Sequence, residues 1–128
     1  MLKDLLAVFV GGGLGSAARY VLGLCLPAPA GTFPWPTFAA NVCGCFLIGL
    51  FASLSAGGVW PVRVRLGLTV GLCGGFTTFS TFSRESLSLL QGGHPRLAAA
   101  YVVASLGVGL VAVALGAWVG VRCRPMAG

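Results

Sequence analysis

Apolar residues run through this chain in four long blocks, separated by short clusters of Pro, Gly and charged residues. No block alternates with the period of two that a half-buried strand requires, and each is long enough to cross about 30 Å of hydrocarbon as a helix. The pattern predicts four transmembrane helices over about 4–26, 36–57, 62–90 and 97–121, forming one all-α membrane domain over residues 1–128. The connections carry their own signals. Pro27, Pro29, Gly31 and Pro34 mark the first, and Trp35 marks the return to the interface. Gly57-Gly58 and Pro61 mark the second, and Gly92-Gly93-His94-Pro95 the third, with His94 read as a solvated loop histidine. A cleaved signal sequence, with Lys3 as its charged start and Ala28-Pro29-Ala30 as its cleavage site, fits less well. The apolar stretch is too long and Arg19 interrupts it.

Within this apolar pattern, small and polar residues form stripes. Gly11 and Gly15 lie four apart in the first segment. They resemble a phosphate loop only superficially, because the Gly-Lys-Ser/Thr ending is missing, and a close helix-packing face is the better reading. Gly67, Gly71 and Gly75 repeat that spacing in the third segment. Thr37, Asn41 and Gly44 fall on one stripe of the second helix, and Tyr101, Ser105 and Gly109 on one face of the fourth. A membrane-embedded amide such as Asn41 needs a partner or a ligand. Arg19 either faces protein and water or snorkels to the nearer boundary.

One stretch breaks the third segment, Gly74-Gly75-Phe76-Thr77-Thr78-Phe79-Ser80-Thr81-Phe82-Ser83. Paired glycines followed by β-branched threonines are poor helix material, so the third helix is expected to break at Gly74–Thr78. Unwound backbone in a membrane is tolerated only where it is buried in protein or lines a cavity. Its exposed carbonyls suit either an alkali cation or water. Beyond the break, Phe79 and Phe82 point the same way on a resumed helix, and Ser80 and Ser83 form a parallel pair of hydroxyls. Together with Asn41, Thr37, Tyr101 and Ser105 they offer groups that replace the hydration shell of a small anion. Ring edges favour an anion, and hydroxyls hold it weakly enough to leave. Arg84 and Glu85 then stand at or near a water-filled mouth.

Composition narrows the class. The 128 residues are 57% hydrophobic and 8% charged, with mean hydropathy +0.97, against about 25% charged for an ordinary soluble domain. The net charge of +6 comes from eight basic residues mostly beside membrane ends, which fits anionic lipid and not nucleic acid. Lys3, Arg63, Arg65, Arg122 and Arg124 gather at one end, which places both termini in the cytoplasm. The five cysteines lie mostly in apolar runs without metal-ligand spacing. No nucleophile and base are paired in the pattern of an enzyme.

The three motifs Gly12-Gly13-Leu14-Gly15-Ser16-Ala17-Ala18-Arg19-Tyr20, Thr37-Phe38-Ala39-Ala40-Asn41-Val42-Cys43-Gly44-Cys45-Phe46-Leu47-Ile48-Gly49 and Gly74-Gly75-Phe76-Thr77-Thr78-Phe79-Ser80-Thr81-Phe82 resemble those of the Fluc or CrcB fluoride channel family, in order and across nearly the whole chain. The resemblance implies a four-helix subunit of the inner membrane that pairs as an antiparallel dimer around two fluoride pores and exports cytoplasmic fluoride passively. It further implies a structural sodium ion on the backbone carbonyls of Gly74 and Thr77, Phe79 and Phe82 along the pores, Asn41 as a donor to fluoride, and Tyr101 and Ser105 as polar groups of the fourth helix. Arg19 would stand at a vestibule. Gly109 departs from the pattern where some members carry a hydroxyl residue. The five basic residues at one end against Arg84 and Arg96 at the other also depart from the balance that dual insertion favours, so the dimer is either a homodimer or a heterodimer with a paralogue. A small multidrug exporter would need an acid within the first helix, where only Asp4 stands at the edge. A purely structural membrane subunit would leave the polar stripes unused.

Overall fold

The computed structural model describes residues 1–124. Helix α1 (Leu2–Cys25), α2 (Trp35–Ser55) and α6 (Pro95–Cys123) are continuous and apolar enough to cross a membrane. Their starts follow the sequence cues, with Pro36 in the first turn of α2 and Pro95 at the start of α6, where proline's missing N–H costs nothing. The third segment is assembled from pieces: α3 (Val62–Leu66), a π-helical stretch (Gly67–Cys73), α4 (Gly74–Phe76) and α5 (Phe79–Gln91). The three connections each turn through a glycine at positive φ, Gly31 at 78°, Gly58 at 71° and Gly93 at 81°.

Two contacts tie the elements together at one end of the bundle. Asp4 Oδ1 lies 3.6 Å from Arg63 Nε, which brings the start of α1 to the start of the third segment, and Gly57 packs against the Arg124 side chain. At the opposite end Gly31 lies against the exposed His94 imidazole, closing the first connection on the third. Asp4 also pairs with the terminal amine at 3.3 Å. This half-buried acid belongs to the end of the helix and leaves the interior of α1 without a carboxylate.

Glycines decide which helices touch. The row Gly11 and Gly15 on α1 faces the row Gly67, Gly71 and Gly75. A methyl group added at Gly11 would run into the Gly67 carbonyl, one at Gly15 into the Leu72 carbonyl, and one at Gly75 into the Gly12 carbonyl. Backbone therefore lies on backbone along this seam, the contact that small residues permit in lipid. Helices α2 and α6 pair in the same way, Gly49 against Val113 and Gly116 against Phe46. Gly109 has more room, since an added carbon would sit in ordinary contact 3.5 Å from Cys45 Sγ.

The buried core is small: Leu89, Ala98 and Tyr101, backed by Phe33, Phe38, Phe82 and Leu97. Large apolar side chains such as Phe9, Leu14, Leu110 and Leu115 point outward instead. That arrangement suits a bilayer, whose hydrocarbon solvates them.

The break is shorter and later than the expected Gly74–Thr78. Gly74 is helical at φ −63° and ψ −38°, whereas Thr77 (φ −83°, ψ 156°) and Thr78 (φ −152°, ψ 115°) are extended. Gly75 is retained for close packing on Gly12, and the glycine pair does not unwind the helix. The preceding π-helical stretch, with its wider i→i+5 turn, is a second irregularity in the same segment.

Candidate functional site at the break

Two extended residues inside a membrane helix leave backbone groups without i→i−4 partners, and each must be satisfied. Helix α4 is closed off by Thr77, whose N–H donates to the Cys73 carbonyl at 3.0 Å while its Oγ1 donates to the same oxygen at 2.8 Å. Thr78 is held from outside the segment. Its N–H donates to Asn41 Oδ1 at 2.8 Å and its carbonyl accepts from Asn41 Nδ2 at 3.2 Å, so one amide side chain satisfies both halves of the residue. Thr78 Oγ1 in turn accepts the Thr81 N–H at 3.2 Å, capping the start of α5. The Thr77 methyl fills the notch at Gly44, where any side chain on α2 would collide with it.

Arg19 and Ser16 serve the other side of the break. Arg19 Nε donates to the Gly75 carbonyl at 3.2 Å, and Ser16 Oγ approaches the same oxygen at 3.4 Å. Among the described residues no hydrogen bond reaches the carbonyls of Gly74 or Thr77. Free backbone oxygens of this kind suit a hard cation, and no cluster of His, Cys, Asp or Glu competes for one among the described residues.

Beside the break lies an open cavity of about 360 Å³, lined by Asn41, Gly74, Thr77, Phe79, Phe82 and Ser105 with neighbouring residues of α2 and α6. The Phe79 and Phe82 rings stand 5.8 Å apart between centroids, and Phe79 is 78% exposed. Ser105 Oγ is buried with no hydrogen-bond partner among the described residues, an expense a native interior rarely leaves without a ligand or water. Asn41 Nδ2 keeps a second N–H beyond the one given to Thr78.

The remaining residues expected here are placed differently. Thr37 Oγ1 donates to Glu85 Oε1 at 2.8 Å, and Tyr101 OH donates to Glu85 Oε2 at 2.7 Å. Each hydroxyl has a single proton, and both are given to this carboxylate. Glu85, expected at a watery mouth with Arg84, is thus the centre of a polar cluster whose other face borders a small cavity under the Ala28–Pro34 loop. The one sequence signal for this role is that Glu85 is the only acid of the chain besides Asp4, and so the only carboxylate near the polar stripes. Ser80 and Ser83 are exposed and lie outside the cavity, with Ser80 Oγ 3.4 Å from Thr78 Oγ1. Aromatic contact links the two regions, from Phe79 through Phe82 to Tyr101 and Phe33.

The Glu85 cluster yields a stability prediction. Glu85→Ala strips Thr37 and Tyr101 of their acceptor and is expected to cost about 1–3 kcal/mol, whereas Glu85→Gln keeps an acceptor oxygen and costs less. Thermal unfolding in detergent checks this ranking; equal melting of the two variants contradicts it.

Three apolar helices able to cross a membrane, a further segment with a pinned break, and a buried unpartnered hydroxyl beside a cavity there define a multi-pass membrane protein with a polar site at the break. Comparison with known proteins makes this specific: residues 6–117 match the family described as CrcB-like protein, Camphor Resistance (CrcB), and the chain belongs to that family. It is 48% identical over 118 residues to a protein of Phocaeicola vulgatus named fluoride-specific ion channel FluC, covering 91% of this chain and 98% of that one. The protein of the same name from Bacteroides fragilis is 46% identical over 123 residues, covering 93% and 97%. Fluoride-specific ion channel FluC 1 of Mycobacterium bovis is 49% identical over 116 residues, covering 88% and 86%.

Proposed function

We propose that this chain is a fluoride-selective channel subunit of the inner membrane that lets cytoplasmic fluoride leave passively. The observation that carries the reading is the cavity at the break, where Asn41, Phe79, Phe82 and the unpartnered Ser105 converge in a chain of this family. Ser105 Oγ–H and the free Asn41 N–H supply donors to the anion, and the positive edges of Phe79 and Phe82 supply weaker attraction. None of these groups carries a full positive charge, so the ion is held and released in quick succession. Thr37 and Tyr101 act through Glu85, Ser80 and Ser83 stand at the exposed approach, and Arg19 adds positive potential near the entrance.

The cavity is open on one side and Phe79 projects from it, which supports completion by a second copy. The Gly74 and Thr77 carbonyls of one chain are too few to replace the hydration shell of an alkali ion; an antiparallel pair doubles them and would hold a structural sodium ion at the dimer interface. Bound there, such an ion would supply the charge that holds two broken helices together. The excess of Lys3, Arg63, Arg65, Arg122 and Arg124 at the end where both termini lie favours a cytoplasmic location for that end, and a paralogue of opposite orientation as the second subunit is the alternative to a homodimer.

The test is fluoride efflux from proteoliposomes, with chloride as control. Fluoride-selective flux from the chain alone supports a homodimer, and flux appearing only with a second family member supports the heterodimer. Equal passage of chloride, or no flux in either preparation, refutes the channel reading.

A further inference from the structure

Arg19 does more than add positive potential near an entrance. It sits on α1 one turn from Ser16, and both reach the same oxygen, the carbonyl of Gly75. That carbonyl belongs to the last turn of α4, where no following helical N–H is available because Thr77 and Thr78 are extended. The C-terminal end of a helix also carries partial negative charge, which a guanidinium complements. Of the carbonyls around the break, Gly75 is therefore claimed by α1, while those of Gly74 and Thr77 receive no donor among the described residues. Steric contact fixes the same point, since Gly75 rests directly on the backbone of Gly12.

We propose that Arg19 is a positioning residue for the broken helix: by holding the Gly75 carbonyl to α1 it keeps the flanking Gly74 and Thr77 carbonyls turned away from the subunit and free to bind a cation. The second half of this statement rests on the cation reading given above, and the first half does not. Asn41 fastens the break at Thr78 from the α2 side and Arg19 at Gly75 from the α1 side, so Phe76 and Thr77 lie between two fixed points.

Two measurements on the full-length protein in detergent separate these halves. The first is amide hydrogen exchange of segment 74–80 in potassium buffer without sodium. Arg19→Ala is expected to speed exchange there about tenfold, with the other spans unchanged. Arg19→Lys is expected to behave like Arg19→Ala, because a flexible ammonium keeps the charge but lacks the planar Nε–H. Ser16→Ala is expected to shift exchange in the same direction by less, and it carries the comparison if Arg19→Ala fails to fold. The second measurement is the sodium concentration giving half-maximal thermal stabilisation relative to potassium, which is expected to rise about tenfold in Arg19→Ala. Unchanged exchange at 74–80, exchange raised equally in every span, or full rescue by Arg19→Lys overturns the positioning role. Absence of sodium-specific stabilisation in the unaltered protein sinks the cation reading instead, while the exchange result still decides the latch.

Discussion

Asn41→Asp should reduce fluoride efflux from proteoliposomes about a hundredfold or more while the protein still folds as a helical membrane protein. The cause is stereochemical. Asn41 presents an acceptor to the Thr78 N–H and a donor to the Thr78 carbonyl, at 2.8 and 3.2 Å. Aspartate is nearly isosteric and keeps the first bond, but when ionised it has only acceptors, so its second oxygen faces the Thr78 carbonyl oxygen. The substitution also takes away the N–H left for an anion and places negative charge on the cavity wall. Losing a donor at a buried site costs about 1–3 kcal/mol, and each 1.4 kcal/mol added to a crossing barrier is about tenfold in rate. Charge repulsion adds to this. Asn41→Ser provides the comparison, because a hydroxyl removes the amide without adding charge and should leave more flux. Flux from Asn41→Asp within a factor of a few of the unaltered protein would remove Asn41 from the conduction path.

Gly11→Val is the substitution expected to damage the fold most. A side chain at position 11 meets the Gly67 carbonyl with no flexible group available to give way, and α1 would have to separate from the third segment along the whole glycine seam. Overpacking against movable side chains costs about 1–3 kcal/mol, and backbone on backbone costs more. Folded, monodisperse protein is expected to be lost in size-exclusion chromatography. Gly13→Val is the matched control, since a carbon added there meets nothing within 4 Å. If the two variants behave alike, the seam does not hold α1 in place.

The spans and their glycine faces could be read from hydropathy and from spacing by four, because both are local properties of a helix. The shape of the break could not. Gly74-Gly75 was as good a breaking signal as Thr77-Thr78, and the choice between them was made by Gly12, which needs Gly75 for close contact, and by Asn41, which secures Thr78 from 37 residues away. The π-helical turn left no mark that separates it from an ordinary run of small and apolar residues. Helical stripes put Thr37 with Asn41 and Tyr101 with Ser105, but the structure divides each pair, with Thr37 and Tyr101 on Glu85 and Asn41 and Ser105 on the cavity, because a stripe shows only which residues share a face. Whether a hydroxyl on that face gives its proton to a visiting anion or to a resident carboxylate depends on where Glu85 lands, and that is set by the register of α5 after the break. Helical spacing alone likewise left Ser80 and Ser83 with Phe79 and Phe82 near one surface, and the structure separates them.

The span of 37 residues between Asn41 and Thr78 carries an implication for how the protein is made. Synthesis runs from the N-terminus, so α2 is already in the bilayer when the third segment arrives. A segment containing two extended residues would enter lipid with bare amide and carbonyl groups, at a cost of several kcal/mol each. Asn41 is then waiting as a template that accepts both groups of Thr78 on arrival, and Ser16 and Arg19 on α1 are waiting for Gly75. The irregular element thus comes third in the chain, after both helices that fasten it, and α6 closes over a break that is already secured.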